Sequence, residues 1–167
     1  MRKGGKPVLG RAGKLSRFVF RAYFLLISLT ACQGQSAPPA DCQPTPYDEI
    51  GPFYRPGAPV RDTVGKGYLL RGQVLSVSGC KALADSRLEF WLVGPDGQYD
   101  DAHRATVYAD SRGYYRFESN RPTDYESRLP HIHMMVFAKG HEQLITQHYP
   151  QADQTEAKFN LVLVPLP

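Results

Sequence analysis

From Tyr68 to Leu166 the chain alternates short runs of β-branched, aromatic and aliphatic residues with polar, glycine-bearing breaks. The runs are YLLRGQVLSV, SRLEFWLV, ATVYAD, GYYRFES, HIHMMVFA, QLITQHY and KFNLVLVPL, and the breaks include SGC, GPDGQ, DSRG, NRPTD and AKG. Runs of this length and composition are strand signals, and the breaks are turn signals. No window carries the i, i+3, i+4 apolar repeat of an amphipathic helix. Six or seven strands without long helical crossovers predict an all-β fold, an antiparallel β-sandwich with little helix. Pro165 and Pro167 place the last run at an edge or a frayed end.

The first 32 residues follow a different pattern. MRKGGKPVLGRAGKLSRFVFR carries seven Lys or Arg and no acid, AYFLLISLTA is a short apolar run, and LTAC ends it at Cys32. This is the layout of a secretory signal, too short and wrongly flanked for an ordinary spanning helix. LTAC resembles a bacterial lipobox, so residues 1–32 are expected to be a lipoprotein signal peptide, with a lipid on Cys32 anchoring the protein at the cell envelope. Residues 33–50, rich in Pro, Gln, Ser and Ala, read as a flexible tether, and 51–167 as one sandwich domain.

Removing the leader changes the charge. The whole chain is +4, but residues 33–167 hold 13 Lys or Arg against 16 Asp or Glu. The basic balance belongs to the export signal and gives no argument for a nucleic-acid partner; no nucleic-acid motif is present. In an exported chain Cys42 and Cys80 can pair, with a stabilisation of about 4 kcal/mol in the chain-entropy model, or stay as two thiols. Their spacing excludes a CxxC metal site.

The chemistry is concentrated in SRLPHIHMMV. On a strand His131 and His133 share one face while Ile132 takes the other, and two imidazoles about 6–7 Å apart along the backbone can lean onto one metal ion. Two polar strand residues would give the same spacing, so further ligands are needed. Tyrosine is the abundant candidate, although most tyrosines in a sheet protein are rim or core aromatics. A phenol with an ordinary pKa of about 10 needs a strongly charged cation to ligate at neutral pH, which favours Fe(III) over a divalent ion.

GPFY at 51–54, the segment 70–100, DSRGYYRFESNRPTDY at 110–125, RLPHIH at 128–133 and LITQHY at 144–149 together resemble, in order, the intradiol ring-cleavage dioxygenases. The resemblance covers nearly the whole chain after the leader and implies the same β-sandwich. It places four ligands of a non-haem Fe(III) on Tyr99, Tyr125, His131 and His133, with Tyr99 and His133 equatorial and Tyr125 and His131 axial. It matches Arg128 and Gln147 to groups that stabilise and hold the substrate. Tyr54 and Trp91 fit structural positions, and His103, His141 and His148 fall outside the ligand motif and read as surface residues.

The implied activity is cleavage of a catechol between its hydroxylated carbons with O2, giving a muconate-type diacid. The catechol would bind the iron through both oxygens and displace Tyr125, whose phenolate takes a substrate proton. Arg128 and Gln147 would face the charge that develops on the ring. Two features depart from the pattern. Only five residues separate Tyr125 from His131, so Tyr108, Tyr114 or Tyr115 could take its place, and Leu129 and Pro130 stand where the family usually has Pro and a small residue. Export is unusual for aromatic catabolism and suggests catechols met outside the cytoplasm. The contrasting reading is a non-catalytic, envelope-anchored sandwich that binds phenolics or metal. The sequence does not define the particular catechol or the oligomeric state.

Overall fold

The computed structural model describes residues 42–167; the expected leader, the lipobox cysteine and the first part of the tether lie outside them. The elements in order are β1 Gly67–Ser76, β2 Arg87–Trp91, β3 Arg104–Tyr108, β4 Tyr114–Asn120, β5 Ile132–Phe137, β6 Leu144–His148, β7 Glu156–Lys158 and β8 Leu161–Leu163. No α-helix occurs among the described residues, and a 3-10 turn at Asp101–His103 precedes β3.

Two four-stranded sheets form the sandwich. One has β1 at its centre, with β4 on one side and β7 and β8 sharing the other; the second runs β3-β2-β5-β6. Alternation along the strands explains the layers. In β4, Tyr115, Phe117 and Ser119 point inward and Tyr114 and Arg116 outward. The core is closed by Leu70, Val74, Leu88, Phe90, Ile132, Met134, Val136 and Leu161 among others. Phe90 of one sheet stacks on Phe117 of the other at 4.2 Å between centroids, a contact worth about 0.5–1.5 kcal/mol beyond its buried area.

The expected sandwich is present, with one change in pairing. The last run, anticipated as a single strand, divides into β7 and β8, and both lie parallel to β1 rather than antiparallel. The chain leaves β6, crosses to the other sheet and follows the free edge of β1 in the same direction. At the break, Phe159 N donates to Arg71 O at 2.8 Å and the Asn160 side chain accepts from Gln73 N at 3.1 Å, so the edge stays paired. Gly72 is required there, because a Cβ on it would collide with the Phe159 carbonyl.

Residues 42–50, anticipated as the end of the tether, are bound to the domain instead. Cys42 is buried and disulfide-bonded to Cys80 in the β1–β2 loop, with Cα atoms 5.5 Å apart. Thr45 N donates to Val162 O at 3.0 Å and Asp48 N to Ile145 O at 2.9 Å. This segment then carries residues 51–54 across the outer face of the second sheet. As a result β5 is buried on both faces, with Ile132, Met134 and Val136 in the core and His133 and Met135 under the cover.

Candidate metal centre

Register aligns the centre. His133 on β5 pairs with Gln147 on β6 and with Trp91 on β2, so the three stand in one rung across the sheet. Trp91 stacks flat on the His133 ring, 4.9 Å between centroids and 4° between planes. Trp91 is thus a wall of the site, not only the core residue its sequence position suggested. Tyr54 packs on Trp91 and donates to the buried Glu89 at 2.8 Å, which pins the covering segment at that end.

His131 stands just before β5, and its Nδ1–H donates to Leu129 O at 2.7 Å, leaving Nε2 as a lone pair. That lone pair lies 3.0 Å from His133 Nε2 and 3.2 Å from the Tyr99 hydroxyl. The polar atoms are short of protons. If His133 carries its hydrogen on Nε2, its buried Nδ1 is a bare acceptor with no hydrogen-bond partner. If instead Nδ1 carries it, towards the nearby Glu49 backbone, two lone pairs face each other. A cation between these atoms resolves both cases, and two ligands at right angles about 2.1 Å from one ion lie about 3.0 Å apart. Among the described residues no three His, Cys, Asp or Glu side chains converge elsewhere or here, so a metal at this point depends on phenol oxygen.

The electrostatics agree. Burial pushes His133 down to about 3, reinforced by His131 and Arg128, and burial likewise lowers His131. Both rings are neutral donors at neutral pH. Burial pushes Tyr99 up to about 12 against the pull of Arg128, so its phenol needs a bound cation to ionise.

Tyr99 is carried by the β2–β3 loop, which His103 holds in shape. Asp100 caps the 3-10 turn by accepting from His103 N at 3.1 Å and Nδ1 at 2.8 Å, and a Cβ on Gly94 would strike the His103 ring. The surface role expected for His103 therefore gives way to a half-buried one. His148 also leaves the surface: its Nε2 lies 2.6 Å from the Tyr68 hydroxyl, its ring packs on Phe159, and burial lowers it to about 4. His141 is half-buried and bonds Ser76 Oγ at 2.9 Å.

The short stretch before His131 closes as a tight hairpin. Tyr125 and Arg128 exchange backbone hydrogen bonds of 3.2 and 2.9 Å across a turn with Glu126 at φ 52°. This brings Tyr125 edge-on to Tyr99 at 5.3 Å and to Phe53 at 5.4 Å, while Phe53 stacks on Tyr99 at 4.3 Å. The substitutes do not qualify. Tyr108 and Tyr114 are exposed, and Tyr115 is in the core with its hydroxyl on Phe159 O. Pro52, Phe53, Tyr99, Tyr125, Arg128, His131 and His133 line a cavity of about 120 Å³.

Arg128 and Gln147 meet, but as a pair rather than as two free donors. Arg128 Nη2 donates to Gln147 Oε1 at 2.9 Å and to the Tyr149 hydroxyl oxygen at 3.3 Å. The Gln147 amide donates to Glu49 O at 2.7 Å. Gln147 therefore orients Arg128. Sequence reasoning missed Phe53, Tyr149 and Asp48. Tyr149 donates to Asp48 Oδ2 at 3.0 Å and lies 6.0 Å from the His131 ring. Two signals were visible: GPFY places Phe53 beside a turn, and LITQHY places Tyr149 on the same strand face as Gln147.

A β-sandwich with a two-imidazole, two-phenol cluster roofed by its own leading segment defines the class. The dioxygenase domain of a dioxygenase carbohydrate-binding protein fusion from Streptomyces sp. SirexAA-E superposes with a TM-score of 0.67 at 26% identity, covering 74% of this chain and 100% of that one. An intradiol ring-cleavage dioxygenase from Tetranychus urticae has a TM-score of 0.66 at 16% identity, over 75% and 97%, which bears on fold alone. In sequence, the chlorocatechol 1,2-dioxygenase of Pseudomonas putida is 30% identical over 133 residues, 59% of this chain and 51% of that protein. No family model matches the chain. In fold and in sequence the chain is similar to catechol-type 1,2-dioxygenases and to an intradiol ring-cleavage dioxygenase. It spans about half the length of the curated relatives it matches.

Proposed function

We propose that this protein is a non-haem Fe(III) intradiol dioxygenase that cleaves a catechol between its hydroxylated carbons with O2 to give a muconate-type diacid. Tyr99, Tyr125, His131 and His133 would hold the iron. The carrying observation is the convergence of His131 Nε2, His133 Nε2 and the Tyr99 hydroxyl within 3.0–3.2 Å, with fewer protons than the atoms need. The iron, when bound, supplies a Lewis acid that makes the catecholate ring reactive towards O2.

The chain's own residues perform the rest. The neutral imidazoles present lone pairs without a competing proton, and the buried Tyr99 phenol would give up its proton on meeting the cation. Tyr125, at the cavity wall and a phenolate where it holds the cation, would take the catechol hydroxyl proton on its phenolic oxygen and become the neutral phenol. Arg128, held by Gln147 and Tyr149, presents positive charge where the ring becomes electron-rich. Phe53 and Pro52 close the cavity against water. At about 120 Å³ it is well below the roughly 300–1,000 Å³ of drug-sized sites and suits a single ring.

The leader supports a place for this activity: export by residues 1–32 and a lipid on Cys32 would hold the enzyme at the cell envelope, facing catechols outside the cytoplasm. Loading with Fe(III) should turn the protein red to burgundy through phenolate-to-iron charge transfer, and O2 uptake should follow with at least one simple catechol. Colour without uptake on any catechol would instead favour the metal- or phenolic-binding module. Globomycin treatment of producing cells should accumulate an unprocessed precursor; its absence would remove the lipid anchor and leave the chemistry untouched.

A further inference from the structure

The outer face of the first sheet carries an arrangement that the metal centre does not explain. Arg116 on β4, Arg71 on β1 and Lys158 on β7 are direct register partners, so three cations stand in one rung. Neighbouring strands are about 4.8 Å apart, and like charges placed opposite one another destabilise a sheet. The domain nevertheless concentrates them here, although its acids outnumber its bases.

Together with Leu69 and Tyr114 the three cations line a cavity of about 450 Å³, a volume typical of small-molecule sites. Arg112 lies over the Tyr114 ring at 5.3 Å at the rim and pairs with Asp110 at 3.9 Å. Three acids stand against the three cations of the row, two of them on Arg116 and none on Lys158. Glu156 meets Arg71 at 3.3 Å, and Glu118 and Asp62 meet Arg116 at 2.7 and 3.7 Å, all in solvent-exposed pairs. Such pairs are worth about 0–1 kcal/mol, so an incoming anion can displace them. Lys158 has no ion pair among the described residues.

We propose that this rung binds a small organic polyanion, two or more carboxylates on an apolar frame. Arginine forks match carboxylates in pairs. Cations on three successive strands call for separate anionic groups rather than one, and Leu69 and Tyr114 offer apolar contact to the frame between them. The site shares no residue with the metal centre and does not depend on its reading.

Benzene-1,3,5-tricarboxylate is the probe, titrated at low salt into the folded protein with backbone amide shifts recorded. Saturable binding should move Leu69–Gln73, Tyr114–Arg116 and Lys158, and the Arg71→Gln/Arg116→Gln variant should bind about tenfold more weakly or worse. The variant should keep the β-rich circular dichroism of wild type, so that lost binding is read on a folded protein. Three outcomes overturn the proposal: no saturable binding, equal binding by the variant, or equal binding of inorganic sulfate. Tighter engagement of the same residues by single-stranded oligonucleotide or by anionic phosphatidylglycerol vesicles would also overturn it, in favour of a macromolecular partner.

Discussion

The outer faces of the two sheets begin from the same alternation and end as opposites. On the second sheet, residues 48–54 lie across the Gln147–His133–Trp91 rung, and His133 is only 2% exposed. On the first sheet, the Arg116–Arg71–Lys158 rung opens on a cavity, with about half of each arginine side chain exposed. Cover keeps the imidazoles neutral by removing water. Its absence leaves guanidinium groups charged and available. The same kind of rung thus becomes a candidate metal site or a candidate anion site according to what lies over it.

The covered rung is where substitution should cost most. His133→Ala should lower Fe(III) affinity by more than the about 10–100-fold typical of a lost supporting group, and remove the visible band while circular dichroism stays β-rich. Full iron content in that variant would show that the converging atoms are not the ligands. Next, Cys42→Ser frees the start of the cover and should lower unfolding free energy by about 4 kcal/mol for a loop spanning 38 positions. Denaturant midpoints under oxidising conditions measure it, and an unchanged midpoint would mean that backbone contacts alone anchor the segment.

Gly51→Ala tests the cover directly. Gly51 has φ +70°, and an added Cβ would lie 3.0 Å from His133 Cε1. The backbone cost is about 1–2 kcal/mol, and the charge-transfer band should shift as the ring is displaced. A smaller effect is expected from Tyr149→Phe, which removes the hydroxyl that links Arg128 to Asp48 and leaves Gln147 with its own contact to Asp48 at 3.5 Å. A fall of about tenfold in kcat, with iron content and stability unchanged, would fit a positioning role; unaltered kinetics would rule it out.

The smallest effect concerns acid. His148 is lowered to about 4 by burial, so below its unfolded value near 6.5 the unfolded chain binds a proton that the folded one does not. Stability should fall as pH drops from about 6.5 to 4, by at most about 1.4 kcal/mol per unit and less because the ring is part-exposed. Above pH 6.5 this group contributes no slope. Equilibrium unfolding of wild type and His148→Gln across that range should show the variant with the flatter dependence.

Local pattern determined a great deal by itself. Each of the seven apolar runs became strand, because a period of two writes the buried face into neighbouring residues. The pairing of His131 with His133 was equally local. What lay beyond reach joins distant residues. The parallel edge of β7 and β8, the roof of Phe53 over Tyr99, and the Tyr149–Asp48 bond across 101 positions depend on where whole segments cross. The burial of His148 and the stacking of Trp91 on His133 had the same origin. Short-range periodicity reports which way a side chain points, whereas the solvent, protons and charges it meets there are set only when the sheets pack and the leading segment closes over them.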